Sequence, residues 1–451
     1  MTNKNSVAAQ NRFVYYPDHL VRMPGPGMSF WSNIYNVLSE SIFKGTVLGA
    51  LTEVTKPRRP AELSDESIGS FLSRRFGSAL ADNVASAVFH GIYAGDIYKL
   101  SARTILPGLW ETERRHLSVV AGLLQAQAVF GGEVPILTAD LKVAKELQKQ
   151  LKMSETLEAV MRSSVFTFKG GLGELAERLE AKLLENPKVV IRKQLMAKSI
   201  KLRSDGTRST MGMTAINLAK NEPRDLEFSH VISTIAGEKL AEIASESHTT
   251  DFANTLGYNK SVTVMVVNLF FSNPNILPVH GFGYLLPRTV PFEQNPERAL
   301  GVVFDTDASI GQDDVEGTKV TVMLGGHWWD DFDTYPDEAE GAAMARGVLE
   351  RHLGIEEFPR ASRVSLQHNC IPQYAVGHDE RMEKAHWTLN RWGGRLRVAG
   401  NSYTGVGLND CVRAARDVVK GLVDGTGKTG LDDYAGGRKW SWVDPRELKK
   451  K

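Results

Sequence analysis

The amino-acid sequence predicts an α/β fold with α+β character, and three observations support that prediction. Residues 31–150 carry apolar side chains at helical spacing, residues 261–326 hold strand-like runs separated by Pro, Asn and Gly, and residues 396–419 suggest strand, glycine turn and helix. The strand-rich stretch thus stands between a helical block and a final strand–turn–helix. We expect such an order when two domains exchange chain segments.

Length and composition narrow the class of protein. A chain of 451 residues is long enough for two or three domains with a proper core. Lys+Arg 54 against Asp+Glu 53 leave a net charge of +1, so we expect no nucleic-acid partner. Two cysteines, Cys370 and Cys411, are too few for a disulfide framework or a zinc site, and we interpret both as packing residues. The sequence has no run of about 18 apolar residues and no apolar signal-peptide core at its N-terminus.

The first part of the chain predicts a short hairpin followed by helices. Aromatic and β-branched residues on both sides of Pro17-Asp18 indicate two short strands within 12–24. Helical spacing then recurs in three stretches: 36–54, 66–94 and 113–132. Side-chain oxygens from Ser64 to Ser67 are expected to cap the second helix.

This helical block allows two interpretations. One is an all-α subdomain. The other is that part of its apolar surface lies on a membrane, with four basic residues beside it: Arg58, Arg59, Arg74 and Arg75.

The middle of the chain predicts a sheet of its own. From Phe166 a glycine-rich entry leads into one amphipathic helix and two strands, and residues 227–236 predict a buried strand. Four further strand-like runs indicate an antiparallel or mixed sheet: 261–271, 281–287, 299–306 and 319–326. A helix over 338–354 is expected to cover it.

Two glycine-rich stretches resemble ligand-binding turns. Residues 425–430, GTGKTG, satisfy G-x-G-x-x-G, but a helix precedes them and turn-rich residues follow, so we predict a helix C-terminal cap and loop. Residues 405–410 are better placed, between a strand and a helix. Gly405 and Gly407 let the backbone approach a ligand, and Asn409 and Asp410 can cap the helix, but an ordinary strand–helix turn is the alternative.

Other motifs give no catalytic group. His327 is either a ligand or base, or a structural histidine in a turn, and we favour the second. The acidic cluster 330–333 lacks calcium-loop spacing and predicts a solvated loop. The sequence shows no Ser/His/Asp triad and no paired metal ligands, so an enzyme of this sequence depends on a cofactor for its chemistry.

Six ordered stretches together resemble one family, the protoporphyrinogen oxidases, and are most similar to its fungal members. They are AAQNRFVYYPDHLVRMP at 8–24, HGIYAGDIYKLSARTILP at 90–107, LPVHGFGYLLP at 277–287, KVTVMLGG at 319–326, HNCIPQYAVGH at 368–378 and AGNSYTGVGLNDCVRAAR at 399–416.

The resemblance implies an amine-oxidase-like FAD flavoprotein fold, with interleaved FAD-binding and substrate domains and a helical membrane-binding domain. The expected segments are substrate-domain strands at 8–30, the helical domain at 31–160, FAD-binding segments at 161–236 and 396–425, the substrate domain at 237–395 and a tail at 426–451.

The resemblance also implies an activity and a location. Members of the family oxidise protoporphyrinogen IX to protoporphyrin IX in three two-electron steps of haem biosynthesis, passing hydride to the flavin N5 of FAD and electrons to O2. A monotopic position on the mitochondrial inner membrane and a homodimer are further expectations, although no targeting segment is visible in the sequence.

Site residues follow from the resemblance position by position. The expected flavin contacts are Gly405, Val406, Gly407 and Leu408, with Met196 or Ala197 near the adenosine. Arg12 matches the arginine that pairs with a substrate propionate, for which a guanidinium is suited by its two parallel donors. The expected tetrapyrrole cavity is lined by Phe282, Gly283, Leu285, Met323 and Gly95.

One feature departs from the family. Its members place a strand, a G-x-G-x-x-G turn and a helix before the segment that contains Arg12, and here eleven residues precede it. We therefore expect the first βαβ unit to be missing, with unpaired strand edges as a consequence. Two hypotheses follow: an FAD oxidase whose sequence is incomplete or completed by something else, or a non-catalytic remnant that binds a porphyrin, a membrane or a partner protein.

Overall fold

The structure is a computed structural model that describes residues 2–25, 28–126, 132–151, 153–204, 209–244, 252, 254–444 and 446. The strands are β1 Thr2–Asn3, β2 Phe13–Tyr15, β3 Leu20–Arg22, β4 Val134–Leu137, β5 Ser163–Val165, β6 Leu195–Ser204, β7 Ser209–Asn217, β8 Glu222–Phe228, β9 Val231–Ser233, β10 Ser261–Phe271, β11 Gly283–Leu285, β12 Ala299–Phe304, β13 Thr318–Gly325, β14 Ala361–Pro372, β15 Leu396–Val398 and β16 Trp440–Val443.

The α-helices are α1 Val7–Gln10, α2 Phe30–Ser39, α3 Thr46–Thr52, α4 Ile68–Phe76, α5 Ser86–Tyr93, α6 Ala102–Ile105, α7 Pro107–His116, α8 Val119–Ala126, α9 Thr138–Gln150, α10 Glu155–Arg162, α11 Gly173–Leu184, α12 Gly237–Ile243, α13 Asp305–Ala308, α14 Glu338–Leu353, α15 His378–Asn390 and α16 Leu408–Asp424. A π-helical turn, Leu80–Ala85, leads into α5.

A seven-stranded mixed sheet forms the centre of the molecule, in the order β14-β10-β13-β12-β11-β2-β3. All of its neighbouring pairs are antiparallel except β11 and β2, which are parallel. The predicted hairpin near the N-terminus therefore exists and joins the sheet formed by the middle of the chain. Helix α14 covers one face of the sheet as predicted, and Asp337 and Glu340 form a capping box at its start.

A second layer holds the parallel pair β9 and β15 with helices α12, α15 and α16. Its core contains Leu240, Met382, Trp392, Val398 and Tyr403. Among the described residues β9 pairs on one edge only, and Ile232 and Ile235 are exposed by 39% and 43%. The prediction of one buried strand over 227–236 was therefore wrong, because the chain breaks at 229–230 into two strands with exposed apolar side chains.

The helical block exists but its helices are shorter than predicted. The stretch 66–94 divides at Gly77, which adopts φ +92°, into α4 and the π-turn with α5. Ser67 caps α4, whereas Asp65 accepts hydrogen bonds from Ser101 and the Gly377 amide. The predicted helix 113–132 divides at Leu117 into α7 and α8, and its residues 127–131 lie outside the described residues.

Three further segments differ from the prediction. Between α11 and residue 202, where two strands were expected, the chain forms one strand, β6. Strand β14 and helix α15 were not predicted at all. The segment predicted as a tail is folded, since β16 pairs antiparallel with β4 and Tyr434 is buried.

Candidate functional site

One face of the central sheet is packed under α14, and the opposite face is partly open. Alternate side chains point to opposite faces of a strand, so Tyr284, Val302, Val322 and Val267 lie in the core. Their neighbours form a row across the other face, in which Leu285 lies opposite Gly301, Gly301 opposite Met323, and Met323 opposite Val266. Leu285, Met323 and Val266 are half-buried.

Two glycines let this face take its shape. A Cβ on Gly301 would lie 2.8 Å from Leu285 Cδ2, and a Cβ on Gly283 would lie 2.1 Å from the Val302 carbonyl oxygen. Gly283 also adopts φ +133°, which favours glycine. The row is therefore an apolar shelf in which the Leu285 side chain lies against the bare backbone of Gly301, since a Cβ there would also meet the Tyr284 oxygen at 2.8 Å.

Arg12 lies at one end of the shelf. Strands β2 and β11 pair in parallel with Leu285 opposite Val14, so Arg12 stands beside Gly283 and shares the face of Val14. The Phe282 amide donates to the Asn11 carbonyl at 2.9 Å, which ties the half-buried Phe282 to the segment of Arg12. The guanidinium of Arg12 is on an exposed residue and has no ion pair within the described ranges.

Helix α5 borders the shelf from the helical block. A Cβ on Gly91 would lie 2.8 Å from Leu285 Cδ2, so the helix passes directly over that side chain. Ala94 shares a cluster with Met323 and Ile371, and Gly95 is buried next to Gln373.

The glycine turn lies at the other end. Gly405 is buried, Val406 is half-buried, and Gly407 and Leu408 are exposed at the start of α16. The Gly407 amide donates to Asp410 at 3.2 Å. This is half of a capping box, since glycine has no side chain to complete it. The exposed N–H groups of Leu408 and Asn409 meet no acceptor in the part of the chain that is described.

A continuous series of contacts joins the turn to the shelf. Val406 packs in a cluster with Tyr93, Tyr374 and Ile371. Ile371 packs also in the cluster that contains Met323. The structure therefore brings Val406, Gly95, Met323, Leu285 and Arg12 into one band, and their roles in binding remain predictions.

Met196 and Ala197 are not part of this band. Both lie on β6, in a three-stranded sheet with β7 and β8, and Met196 is paired with Ile216. The same strand reaches the core of the second layer through Ile200. Their proposed contact with the adenosine remains a prediction.

His327 belongs to a hydrogen-bonded pair beside the shelf. Its Nε2 lies 2.8 Å from Nε2 of His90, whose Nδ1 lies 2.7 Å from the Leu286 oxygen. A carbonyl can only accept, so His90 donates from Nδ1 and accepts from His327. Burial lowers the pKa of His90 to about 3 and that of His327 to about 4, so both rings are neutral near pH 7. The pair joins α5 to the end of β13.

The backbone amides of the GTGKTG segment bind a carboxylate of the same chain. Gly425 adopts φ +66° and ends α16, which confirms the predicted helix cap. The Asp432 carboxylate accepts the amide hydrogens of Lys428, Thr429 and Gly430 at 3.0, 3.2 and 3.1 Å. These donors are therefore satisfied within the chain.

A cavity of about 410 Å³ lies beside this segment, between α9 and α16. Three of its basic residues are paired: Arg413 contacts Asp140 and Asp433, and Arg416 and Lys420 contact Glu146. Lys142 and Lys439 also line the cavity.

Several residues of the band were not found from the sequence. Gly301 could have been noticed, because a glycine inside a strand often marks a close backbone approach. Ile371 and Gln373 lie in the stretch HNCIPQYAVGH, but no local pattern gives them a function. Their position depends on contacts with α5 and with the glycine turn.

Comparison with known proteins places the chain among flavoproteins. The profile of the family described as flavin containing amine oxidoreductase matches residues 5–422. The chain is 29% identical over 430 residues to a Schizosaccharomyces pombe protein named protoporphyrinogen oxidase, covering 93% of this chain and 80% of that protein. It is 31% identical over 420 residues to the Homo sapiens protein of the same name, covering 91% and 78%.

Solved structures agree on the fold. A candidate protoporphyrinogen oxidase from Exiguobacterium sp. superposes with a TM-score of 0.69 at 20% identity, over 94% of this chain and 81% of that chain. Cyclohexylamine oxidase from Brevibacterium oxydans superposes with a TM-score of 0.52 at 11% identity, over 99% and 82%. The predicted amine-oxidase-like flavoprotein fold is confirmed.

Proposed function

We propose that the chain oxidises protoporphyrinogen IX to protoporphyrin IX with FAD as cofactor and O2 as acceptor. It belongs to the flavin-containing amine oxidoreductases and within them to the protoporphyrinogen oxidases. The observation that carries the proposal is the band on the open sheet face. It is apolar along its length, it begins at an exposed glycine turn, and it ends at an exposed arginine.

The shelf suits a flat apolar ring with carboxylate side chains. Leu285 and Met323 offer apolar surface on either side of Gly301, and the Leu285 side chain lies against the bare backbone of that glycine. Arg12 can donate two parallel hydrogen bonds to one propionate. Such charge-assisted bonds contribute roughly 1.5–3 kcal/mol, about tenfold to a hundredfold in affinity.

The glycine turn suits one edge of a flavin. The free N–H groups of Leu408 and Asn409, at the positive end of α16, would hold an electronegative ring edge. When bound, the flavin supplies the hydride acceptor. Val406, Tyr93 and Ile371 exclude water from the space between turn and shelf. The strand–turn–helix that the resemblance assigns to the pyrophosphate is not among the described residues, so they supply the flavin end of an FAD site.

Reconstitution tests the activity. Purified protein is incubated with FAD, freed of excess cofactor and mixed with protoporphyrinogen IX, and porphyrin fluorescence is followed against the spontaneous rate. We expect a yellow protein, and a KM raised at least tenfold in Arg12→Ala. Arg162→Ala is the matched control, because that side chain is 82% exposed and pairs with Glu158 of its own helix, α10. A colourless protein that cannot be reconstituted, but still quenches porphyrin fluorescence, would instead fit a porphyrin-binding remnant.

A membrane location is favoured by helices α2 and α3. Large apolar side chains lie exposed along both helices: Phe30 70%, Trp31 76%, Tyr35 74%, Leu38 71%, Leu48 66% and Leu51 72%. Isolated exposed residues are common, but a stripe of this size is typical of an interaction surface. The other face of α2 packs through Val37 in the cluster of Val14 and Leu285, so the stripe lies on the outer side of the shelf. We assign this stripe to the mitochondrial inner membrane surface.

The basic residues expected beside that membrane surface are mostly unavailable. Arg75 is fully buried against Glu53, Arg74 pairs with Glu66 and Glu113, and Arg59 lies 3.6 Å over Trp110. The alternative interpretation of the helical block placed these four arginines beside the apolar surface, and Arg58 alone of them is exposed. No helix within the described residues has the length and apolar composition to cross a bilayer.

Vesicle binding tests the membrane proposal. Phosphatidylcholine vesicles with a fifth of anionic lipid are floated on a density gradient with the protein, and we expect the wild-type chain to float. Trp31→Ser with Leu38→Ser should remain at the bottom. Leu179→Ser with Leu183→Ser, which removes leucines exposed by 57% and 49% from α11, should float like wild type. Equal flotation of both variants would place the lipid contact elsewhere.

A further inference from the structure

Gln373 lies immediately after β14, between the glycine turn and the shelf. Its side-chain Nε2 donates to the Tyr93 carbonyl at 2.9 Å and to the Ile371 carbonyl at 3.1 Å. Both partners can only accept hydrogen bonds, so the amide nitrogen must face them. The orientation of this amide is therefore fixed by the backbone on both sides.

The fixed nitrogen determines where the oxygen lies. A Cβ on Gly95 would lie 2.2 Å from Gln373 Oε1, so the oxygen rests against the bare backbone of Gly95. Within the described chain Oε1 accepts no hydrogen bond, and it is not one of the sealed polar atoms that lack a partner. The half-buried side chain thus presents a free acceptor beside Gly95.

The surroundings of this oxygen are apolar. Ala94, Leu100 and Tyr93 are buried next to Gly95, and Ile371 belongs both to the cluster of Val406 and to that of Met323. An acceptor in such surroundings gains most from a ligand that brings a donor, because water competes poorly there.

We infer that Gln373 Oε1 accepts a hydrogen bond from the pyrrole N–H groups at the centre of the bound tetrapyrrole and so positions the ring between the glycine turn and the shelf. This inference rests on the proposed function. A porphyrinogen carries four pyrrole N–H donors and no nitrogen lone pair that can accept. A porphyrin carries two N–H groups and two imine nitrogens, which repel an oxygen acceptor. Gln373 is a positioning residue that favours the reduced ring over the oxidised one.

Two ligands isolate the N–H group. Free-base protoporphyrin IX and its palladium(II) complex have the same periphery and propionates, but the complex has no N–H, and its square-planar metal takes no axial ligand. Both are titrated into the purified full chain and followed by tryptophan quenching. One hydrogen bond corresponds to a ratio of about twofold to tenfold. We expect the wild-type chain to bind the free base tighter by that factor.

Variants of Gln373 test the acceptor oxygen separately from the amide nitrogen that fixes its orientation. In Gln373→Leu the two affinities should become equal. In Gln373→Glu a protonated carboxyl can donate to one carbonyl and still present an oxygen, so the preference should remain. Gln367→Leu, at an exposed glutamine on β14, should bind like wild type. Circular dichroism and thermal unfolding of each variant confirm that it is folded.

The outcomes are distinct. Equal binding of both ligands by the wild-type chain overturns the role of Gln373 and leaves the proposed function intact. Loss of the preference in Gln373→Glu as well as in Gln373→Leu overturns it too, because the two donors rather than the oxygen would then matter. Binding of neither ligand by the wild-type chain overturns the proposed function together with this inference.

Discussion

Gly283→Ala should damage both the sheet and the site, because the new methyl group has no room. The Cβ would lie 2.1 Å from the Val302 oxygen and 2.9 Å from Val303 Cα, and both atoms are backbone. Strand β11 must therefore move away from β12. Only three residue pairs join these strands, so the move would break one or two ladder hydrogen bonds.

The magnitude has two parts. An alanine at φ +133° costs roughly 1–3 kcal/mol in backbone strain. Each lost hydrogen bond adds about 1 kcal/mol. Gly77→Ala measures the first part alone, since Gly77 has φ +92° and no atom within 4 Å of its Cβ position. We expect Gly283→Ala to be less stable than Gly77→Ala by about 2 kcal/mol.

Urea unfolding measures the difference, with the slope of the free energy against urea compared to verify a common denatured state. Porphyrin titration of the same two variants reports on the site. Binding should weaken in Gly283→Ala, which shifts Leu285, and not in Gly77→Ala. Equal stability of the two variants would refute the view that the Val302 backbone is held rigidly against Gly283.

Three other changes have expected outcomes. Glu53→Gln removes the carboxylate that the buried Arg75 hydrogen-bonds, leaving Glu113 at 3.6 Å, and weakens the bonds from Ser118 and the Val119 amide. Urea unfolding should show a loss of about 3–5 kcal/mol, against less than about 0.5 for Glu158→Gln on the surface. Burial lowers the pKa of His378 to about 4 from 6.5, so the unfolded chain takes up a proton before the folded chain as the pH falls. Stability should therefore decrease from pH 6.5 to 4, by up to about 3 kcal/mol for this group. His378→Gln should remove that decrease. Asp432→Ala leaves three amide donors of the GTGKTG loop without an acceptor, and the unfolding free energy should fall by about 1–3 kcal/mol.

The strands of the central sheet could be predicted because their signal is local. In β13, and in β10 from Val266 on, a buried side chain alternates with a half-buried one, and both sequences are Val-rich apolar runs bounded by Pro, Asn or Gly. Strand β14 lies at the edge of the sheet, most of its residues are exposed or half-buried, and its sequence alternates only over residues 363–367. Helix α15 was not predicted for a different reason. It buries four polar residues, His378, Asp379, His386 and Thr388, so its buried face shows no apolar period in the sequence.

The site was harder to predict than the fold. The resemblance indicated Arg12, Leu285 and Met323, and the register of the sheet explains why they lie on one face. The buried pair of Glu53 and Arg75 could not be predicted, because two charged residues 22 positions apart give no local pattern. The amide of Gln373 is held by the carbonyl of Tyr93, which is 280 positions away. Its fixed orientation therefore exists only in the folded chain, where α5 and β14 come together.

Pairing register ties these observations together. A shift of β11 by one residue would turn Leu285 into the core and bring Tyr284 onto the open face, although the Tyr284 ring is buried and its hydroxyl bonds to His352 at 3.0 Å. Gly283 and Gly301 oppose that shift, because only glycine fits where β11 approaches β12 so closely. Gly301 also lets the Leu285 side chain lie against β12. The feature that fixes the register is therefore also the one that sets the position of Leu285 on the shelf, so a larger residue at either glycine should cost stability and binding together.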